Sequence, residues 1–115
     1  MAYDEALAQR IQKITATKKS FTEKKMFGGL CFLYKGNMCC GIVDNKLMLR
    51  IGKDAYENCL KEVYTQEMTF TGKPMKGMIY VLPKGFSDSR QLKKWIEKAL
   101  LFVKTLPDKS SGKAQ

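Results

Sequence analysis

Three short apolar runs separated by turn residues occupy the stretch from Leu30 to Ile51. The runs read LCFLY, MCCGIV and KLMLRI, and the connections between them read KGN and DN. Such short connections, built from residues that tolerate positive φ, join adjacent antiparallel strands. The stretch therefore predicts an antiparallel meander, and one more short strand is expected at 23–27, before Gly28 and Gly29.

Helical spacing of apolar residues marks three other segments. They begin after Asp4, after Gly52 and after a possible cap at Ser87 or Asp88. The apolar run 78–82 follows a loop with glycine and proline and predicts a further strand. The order α-β-β-β-β-α-β-α, with three helices and an antiparallel sheet of about five strands, predicts a two-layer α+β fold.

Length and hydrophobic content are those of one ordinary domain. A chain of 115 residues with 44% hydrophobic content can build a core without disulfides or metal ions. We expect a domain over 1–106 and a disordered basic tail over 107–115, because a polar run begins at Pro107. The chain shows no export signal and no run of eighteen apolar residues, so a cytoplasmic location without membrane contact is expected.

Basic charge dominates the chain, and the chain has no histidine. The 21 Lys and Arg residues exceed the 11 acidic ones and give a net charge of +10. This charge attracts polyanions, and Tyr34, Lys35, Lys73 and Lys76 are candidates for a basic platform that carries an aromatic ring. A nucleic-acid-binding motif is absent, however, and lysines that only keep a small domain in solution are an equal alternative. The lack of histidine excludes Cys/His zinc sites and the commonest catalytic base.

The adjacent cysteines Cys39 and Cys40 suggest a thiol site, but neighbours in a strand point to opposite faces of a sheet. If Val43 pairs with Lys46, Cys40 lies opposite Leu49 on the core face, together with Met38. Cys39 is then expected on the outer face with Met48 and Arg50, where a positive charge would stabilise a reactive thiolate. Without a CxxC motif or a base, structural roles for all four cysteines are the stronger alternative.

The outer face and one loop supply the candidate interaction residues. A sheet bare on one side is a ready contact surface, with a covering loop as the alternative. Arg50 is a candidate for bidentate binding of a carboxylate, with an exposed strand charge as the alternative. The loop 73–77 carries cations between turn residues. The full set is Cys39, Met48, Arg50, Lys73, Met75 and Lys76; no catalytic, cofactor or metal-binding residue is expected.

Several short motifs in combination give the chain a family resemblance. They are MFGG, the glycine turn that precedes NMCCG, the segment LRIG and the segment GKPMKG. With these motifs the chain resembles the N-terminal domain of the TfoX/Sxy family over about residues 3–104. The signature positions are Met26, Phe27, Gly28, Gly29, Gly36, Gly41, Gly52, Gly72, Pro74 and Gly77.

The resemblance implies an α+β domain with an antiparallel sheet and no established enzymatic activity. The best-known members are bacterial regulators that promote transcription of competence genes, and they carry a second, C-terminal domain. At 115 residues this chain is expected to be a stand-alone N-terminal domain. No catalytic residues can be transferred from the family, because none is established.

These observations predict a non-enzymatic regulatory or protein-interaction domain that binds a protein partner or a second copy of itself. An auxiliary nucleic-acid-binding protein that uses its basic segments is the first alternative. A thiol-dependent enzyme or sensor centred on Cys39 is the second.

Overall fold

The meander of four strands is present and extends into a sheet of six. The computed structural model describes residues 3–26, 28–70 and 72–109. The strands are β1 (Phe21–Met26), β2 (Gly29–Tyr34), β3 (Asn37–Val43), β4 (Lys46–Arg50), β5 (Thr65–Phe70) and β6 (Lys73–Val81). The helices are α1 (Glu5–Thr15), α2 (Lys53–Leu60) and α3 (Ser89–Val103), and a 3₁₀ turn spans Pro83–Phe86.

All neighbouring strands are antiparallel, in the order β1-β2-β3-β4-β6-β5. Between β3 and β4, Val43 pairs with Lys46 and Cys40 with Leu49, which confirms the predicted register. The β2–β3 connection is a two-residue turn in which Lys35 and Gly36 both have positive φ, at 50° and 81°. This turn geometry matches the right-handed twist of a hairpin.

The sequence prediction missed strand β5 and the first half of β6. The segment 73–77, predicted as a loop, belongs to β6 and pairs with β5 through a turn at Gly72. Strand β5 reads TQEMTF and is a sheet edge in which most described side chains are exposed. A polar edge strand lacks the apolar run on which strand prediction depends.

All three helices pack on one face of the sheet and form the main core with it. Asp4 caps α1, and Asp88 caps α3 in a capping box with Gln91. Large side chains that are fully buried in this core are Ile11, Phe32, Ile42, Leu47, Leu49, Ile79, Leu92 and Ile96. The predicted two-layer α+β fold is confirmed, with six strands rather than five.

The chain after α3 folds back onto the β2–β3 turn. Asn37 donates from its side-chain nitrogen to the carbonyl oxygen of Pro107 at 2.7 Å, and the backbone nitrogen of Lys109 donates to the carbonyl oxygen of Lys35 at 2.8 Å. Residues 107–109, predicted as the start of a disordered tail, thus pack against the hairpin. The rest of that predicted tail lies outside the described residues.

Candidate functional site

The face of the sheet opposite the helices, called the outer face below, carries its own cluster of sulfur-containing side chains. Cys31, Met48, Met68 and Met78 are buried there and are called the outer cluster. Five further side chains pack against it while half-buried: Leu33, Met38, Val43, Met75 and Tyr80. Within the described ranges every member of this cluster lies on a strand, and none on a helix.

Strand register explains how these side chains meet. A row of paired residues crosses the sheet from Lys24 through Cys31, Gly41 and Met48 to Tyr80. Residues paired in this way project from the same face of a sheet. The row therefore places a thiol, a thioether and a phenol ring side by side, with a lysine at one end.

Gly41 keeps this row closely packed. A Cβ atom at Gly41 would lie 2.7 Å from the Leu30 carbonyl oxygen and 2.8 Å from the Met48 Cε atom. The Met48 side chain thus fills the space that a larger residue would need. This contact explains why the signature position 41 is occupied by glycine.

Cys39 does not lie on the outer face, so its predicted placement beside Met48 is wrong. Phe32 pairs with Cys40 and Leu33 pairs with Met38, which leaves Cys39 as an extra residue in β3. This irregularity is a β-bulge, and it interrupts the alternation of side chains between the two faces. Cys39 is 0% exposed and belongs to the main core with Cys40, while Met38, predicted for the core, packs against the outer cluster.

The environments of Cys31, Cys40 and Cys59 disfavour the thiolate form. The hydrogen bond to Cys39 is the main cause that raises the pKa of the Cys40 thiol, and burial is the second cause. Burial raises the pKa of Cys31 to about 11. Burial raises the pKa of Cys59, and the positive charge of Lys98 lowers it by a smaller amount. All four thiols are buried and free, and the described residues contain no Cys, Asp, Glu or His cluster suited to a metal ion.

Arg50 reaches the helical side of the sheet. Its guanidinium carbon lies 5.9 Å from the centre of the Phe102 ring on α3. Among the described residues Arg50 has no carboxylate within ion-pair distance. The predicted role in binding a carboxylate therefore has no intramolecular partner there, and it stays a prediction about another molecule.

The remaining candidates lie along the first half of β6. Lys73 and Lys76 are exposed, and Met75 is half-buried against the outer cluster. Gly77, with φ at 95°, accepts hydrogen bonds through its carbonyl oxygen from the backbone nitrogens of Ile51 at 2.8 Å and Gly52 at 3.2 Å. The segment 73–77 is therefore tied to the end of β4, with its cations pointing to solvent.

The proposed basic platform is divided in the structure. Tyr34 and Lys35 lie at the β2–β3 turn, whereas Lys73 and Lys76 lie on β6, with β3 and β4 between them in the sheet. The Lys35 ammonium lies 5.6 Å from the centre of the Tyr34 ring, whose neighbour Phe21 makes an edge contact. These four residues do not form one continuous surface.

Two further signature positions need glycine for local reasons, and one signature position lies outside the described residues. Gly52 has φ at 85°, and a Cβ atom there would overlap the Phe102 ring. Gly36 has the positive φ of the hairpin turn. Met26 ends β1 opposite Gly29, and Phe27 is outside the described part of the chain.

None of the helices in the described ranges is both long enough and apolar enough to cross a membrane.

Comparison with known proteins supports the resemblance seen in the motifs. The model of the TfoX N-terminal domain matches residues 13–103, which is most of the chain, from the last turn of α1 to the end of α3. A search of curated proteins gave no match. The matched range includes the whole sheet with its outer cluster and every signature glycine. The chain therefore belongs to the TfoX N-terminal domain family.

Proposed function

We propose that this domain is a non-enzymatic regulatory module that binds an acidic protein partner through the outer face of its sheet. The observation that carries the proposal is the outer cluster, which no described helix covers. The resemblance to transcription regulators of competence supports a regulatory role, and we propose with it a location in the bacterial cytoplasm.

Methionine suits a surface that must adapt to a partner. Its unbranched thioether side chain has three rotatable bonds and a polarisable sulfur, so it repacks at low cost. Met38 and Met75 are half-buried and pack against the outer cluster, in which Met48 and Met68 are buried. A partner would therefore meet movable side chains that rest on a packed layer.

Charge on this face favours an acidic partner over a second copy of the chain. Lys24 and Lys73 are exposed, and the Lys46 ammonium lies 5.1 Å from the centre of the Tyr80 ring. Complementary charge speeds association and excludes partners of like charge. Two copies, each with a net charge of +10, would repel one another across this surface.

Site-specific photo-crosslinking in cells tests the proposal. Met75 is replaced by benzoylphenylalanine, and the matched control carries the same group at Val63, which is 71% exposed on the α2–β5 connection. We expect position 75 to yield adducts with an acidic protein that survive nuclease, and position 63 to yield none of these. Adducts that are equal at both positions, or that join two copies of the chain, would contradict the proposal.

Auxiliary nucleic-acid binding is the second candidate, and one observation favours it. Helix α3 exposes Arg90, Lys93 and Lys94, and Lys104 follows it directly. A basic helix attracts phosphates without reading a sequence. Adducts that disappear after nuclease treatment would support this function in place of the first one.

A further inference from the structure

A cavity lies where the β2–β3 turn meets the end of α3, on the helical side of the domain and apart from the outer cluster. Its volume is about 380 Å³, and it is lined by side chains of the turn, of the end of α3 and of the segment 106–108. Two hydrogen bonds hold its wall together, from Asn37 to Pro107 and from Lys109 to Lys35. This volume lies within the range of small-molecule sites.

Asn37 is an unusual residue to find in this wall. It is 3% exposed, and its side-chain nitrogen donates to the Pro107 carbonyl oxygen at 2.7 Å. Because a carbonyl oxygen can only accept a hydrogen bond, the Asn37 atom that contacts Pro107 must be the amide nitrogen. The other polar atom of this amide is therefore the oxygen Oδ1. Within residues 3–26, 28–70 and 72–109, Oδ1 is buried and has no hydrogen-bond partner.

A buried acceptor without a donor needs an explanation, since nearly all such groups in folded proteins are paired. The cavity beside Asn37 offers room for a donor that the described chain does not supply. The C-terminal end of α3, which carries the negative end of the helix dipole, lines the same space. The Asn37 side of the cavity therefore favours a hydrogen-bond donor.

The same cavity also carries positive charge. Lys35 and Lys104 line it and are exposed. Asp108 also lines the cavity and already takes part in an interaction within the protein. Asn37 and the two lysines together favour a molecule that carries both a hydrogen-bond donor and an anion.

We propose that this cavity binds a small hydroxylated organic anion. A hydroxyl group of the ligand donates to Asn37 Oδ1, and its phosphate or carboxylate lies between Lys35 and Lys104. At roughly 30 Å³ for each water-sized group, the volume accommodates a ligand of about a dozen non-hydrogen atoms. The site is independent of the outer face and does not rest on the function proposed for that face.

A matched pair of ligands tests the role of Asn37. Glycerol 3-phosphate and propyl phosphate carry the same anion on a three-carbon chain, but only the first has hydroxyl donors. Titration of the ¹⁵N-labelled protein should shift the amide resonances of 34–37 and 103–108, with a Kd about tenfold lower for glycerol 3-phosphate. Glycerate replaces the phosphate by a carboxylate and shows which anion is preferred.

Removing a cation tests the positive charge of the site. Lys104→Gln should weaken binding of glycerol 3-phosphate about fivefold or more, and the control Lys93→Gln, on the exposed side of α3, should leave it unchanged. Equal affinity for the two phosphates, equal effects of the two variants, or the absence of shifts near the cavity would each overturn the proposal. In that last case the cavity holds only water.

Discussion

Truncation of Met48 tests whether the outer cluster is a packed second core. Met48 is 0% exposed although it lies on the face without helices. Removing a buried methionine side chain costs about 2–5 kcal/mol, depending on how well the neighbours fill the space. On one side Met48 contacts the backbone at Gly41, which cannot move into the space that truncation of Met48 leaves. The flexible side chains of Met68 and Met78, in the same cluster, can move into this space. We therefore expect Met48→Ala to lower the free energy of unfolding by about 2–3 kcal/mol.

Urea denaturation followed by tryptophan fluorescence measures this loss. The protein has one tryptophan, Trp95, which is buried in the main core and reports global unfolding. With a slope of about 1.5 kcal/mol per molar urea, the midpoint should fall by about 1.3–2 M. Met48→Leu keeps the volume and should lose less than about 1.5 kcal/mol, and the exposed Val63→Ala should stay within about 0.5 kcal/mol. If Met48→Ala unfolds like Val63→Ala, the outer face is not packed and the reasoning fails.

Two further predictions concern single residues. Gly52→Ala and Gly72→Ala both place alanine at positive φ, but the new Cβ atom overlaps Phe102 at position 52 and has open space at position 72. The same urea assay should therefore show a larger loss of stability for Gly52→Ala. Equal losses would contradict the packing at Phe102. The pKa of Cys31 is raised from 9.0 in the absence of the fold to about 11, so the unfolded chain loses this proton first and stability should fall as pH rises from about 9 to about 11. Cys31→Ala should make that decline shallower in urea titrations across this pH range, and a parallel decline in both proteins would contradict the assignment.

Short-range rules predicted most of the fold. The register between β3 and β4 was predicted correctly because the two-residue connection Asp44-Asn45 is too short to allow one strand to shift along the other. The α3 cap was predicted to be Ser87 or Asp88, because both precede a helical apolar pattern, and the structure has Asp88 there. Strand β5 was missed because its pairing partner β6, rather than any property of its own sequence, makes it a strand.

The candidate site was predicted less well than the fold, because one residue, Cys39, interrupts the alternation of side chains along β3. The sequence indicated the outer face and placed Met48 on it, and the half-buried Met75 also belongs there. The β-bulge at Cys39 could not be predicted, because alternation assumes one partner for each residue and the sequence MCCG carries no sign of an extra one.

The bulge also changes which chemistry the outer face can offer. Without it, Cys39 would face outward and a thiol would lie at the contact surface. With it, Cys39 turns into the main core and Met38 takes the outward position. The half-buried edge of the outer cluster then carries thioethers, an aromatic ring and aliphatic groups, while Cys31 lies beneath it at 0% exposure. We therefore expect this surface to bind by adaptable packing and to be insensitive to mild thiol reagents, as a contact role requires and a thiol-dependent sensor does not.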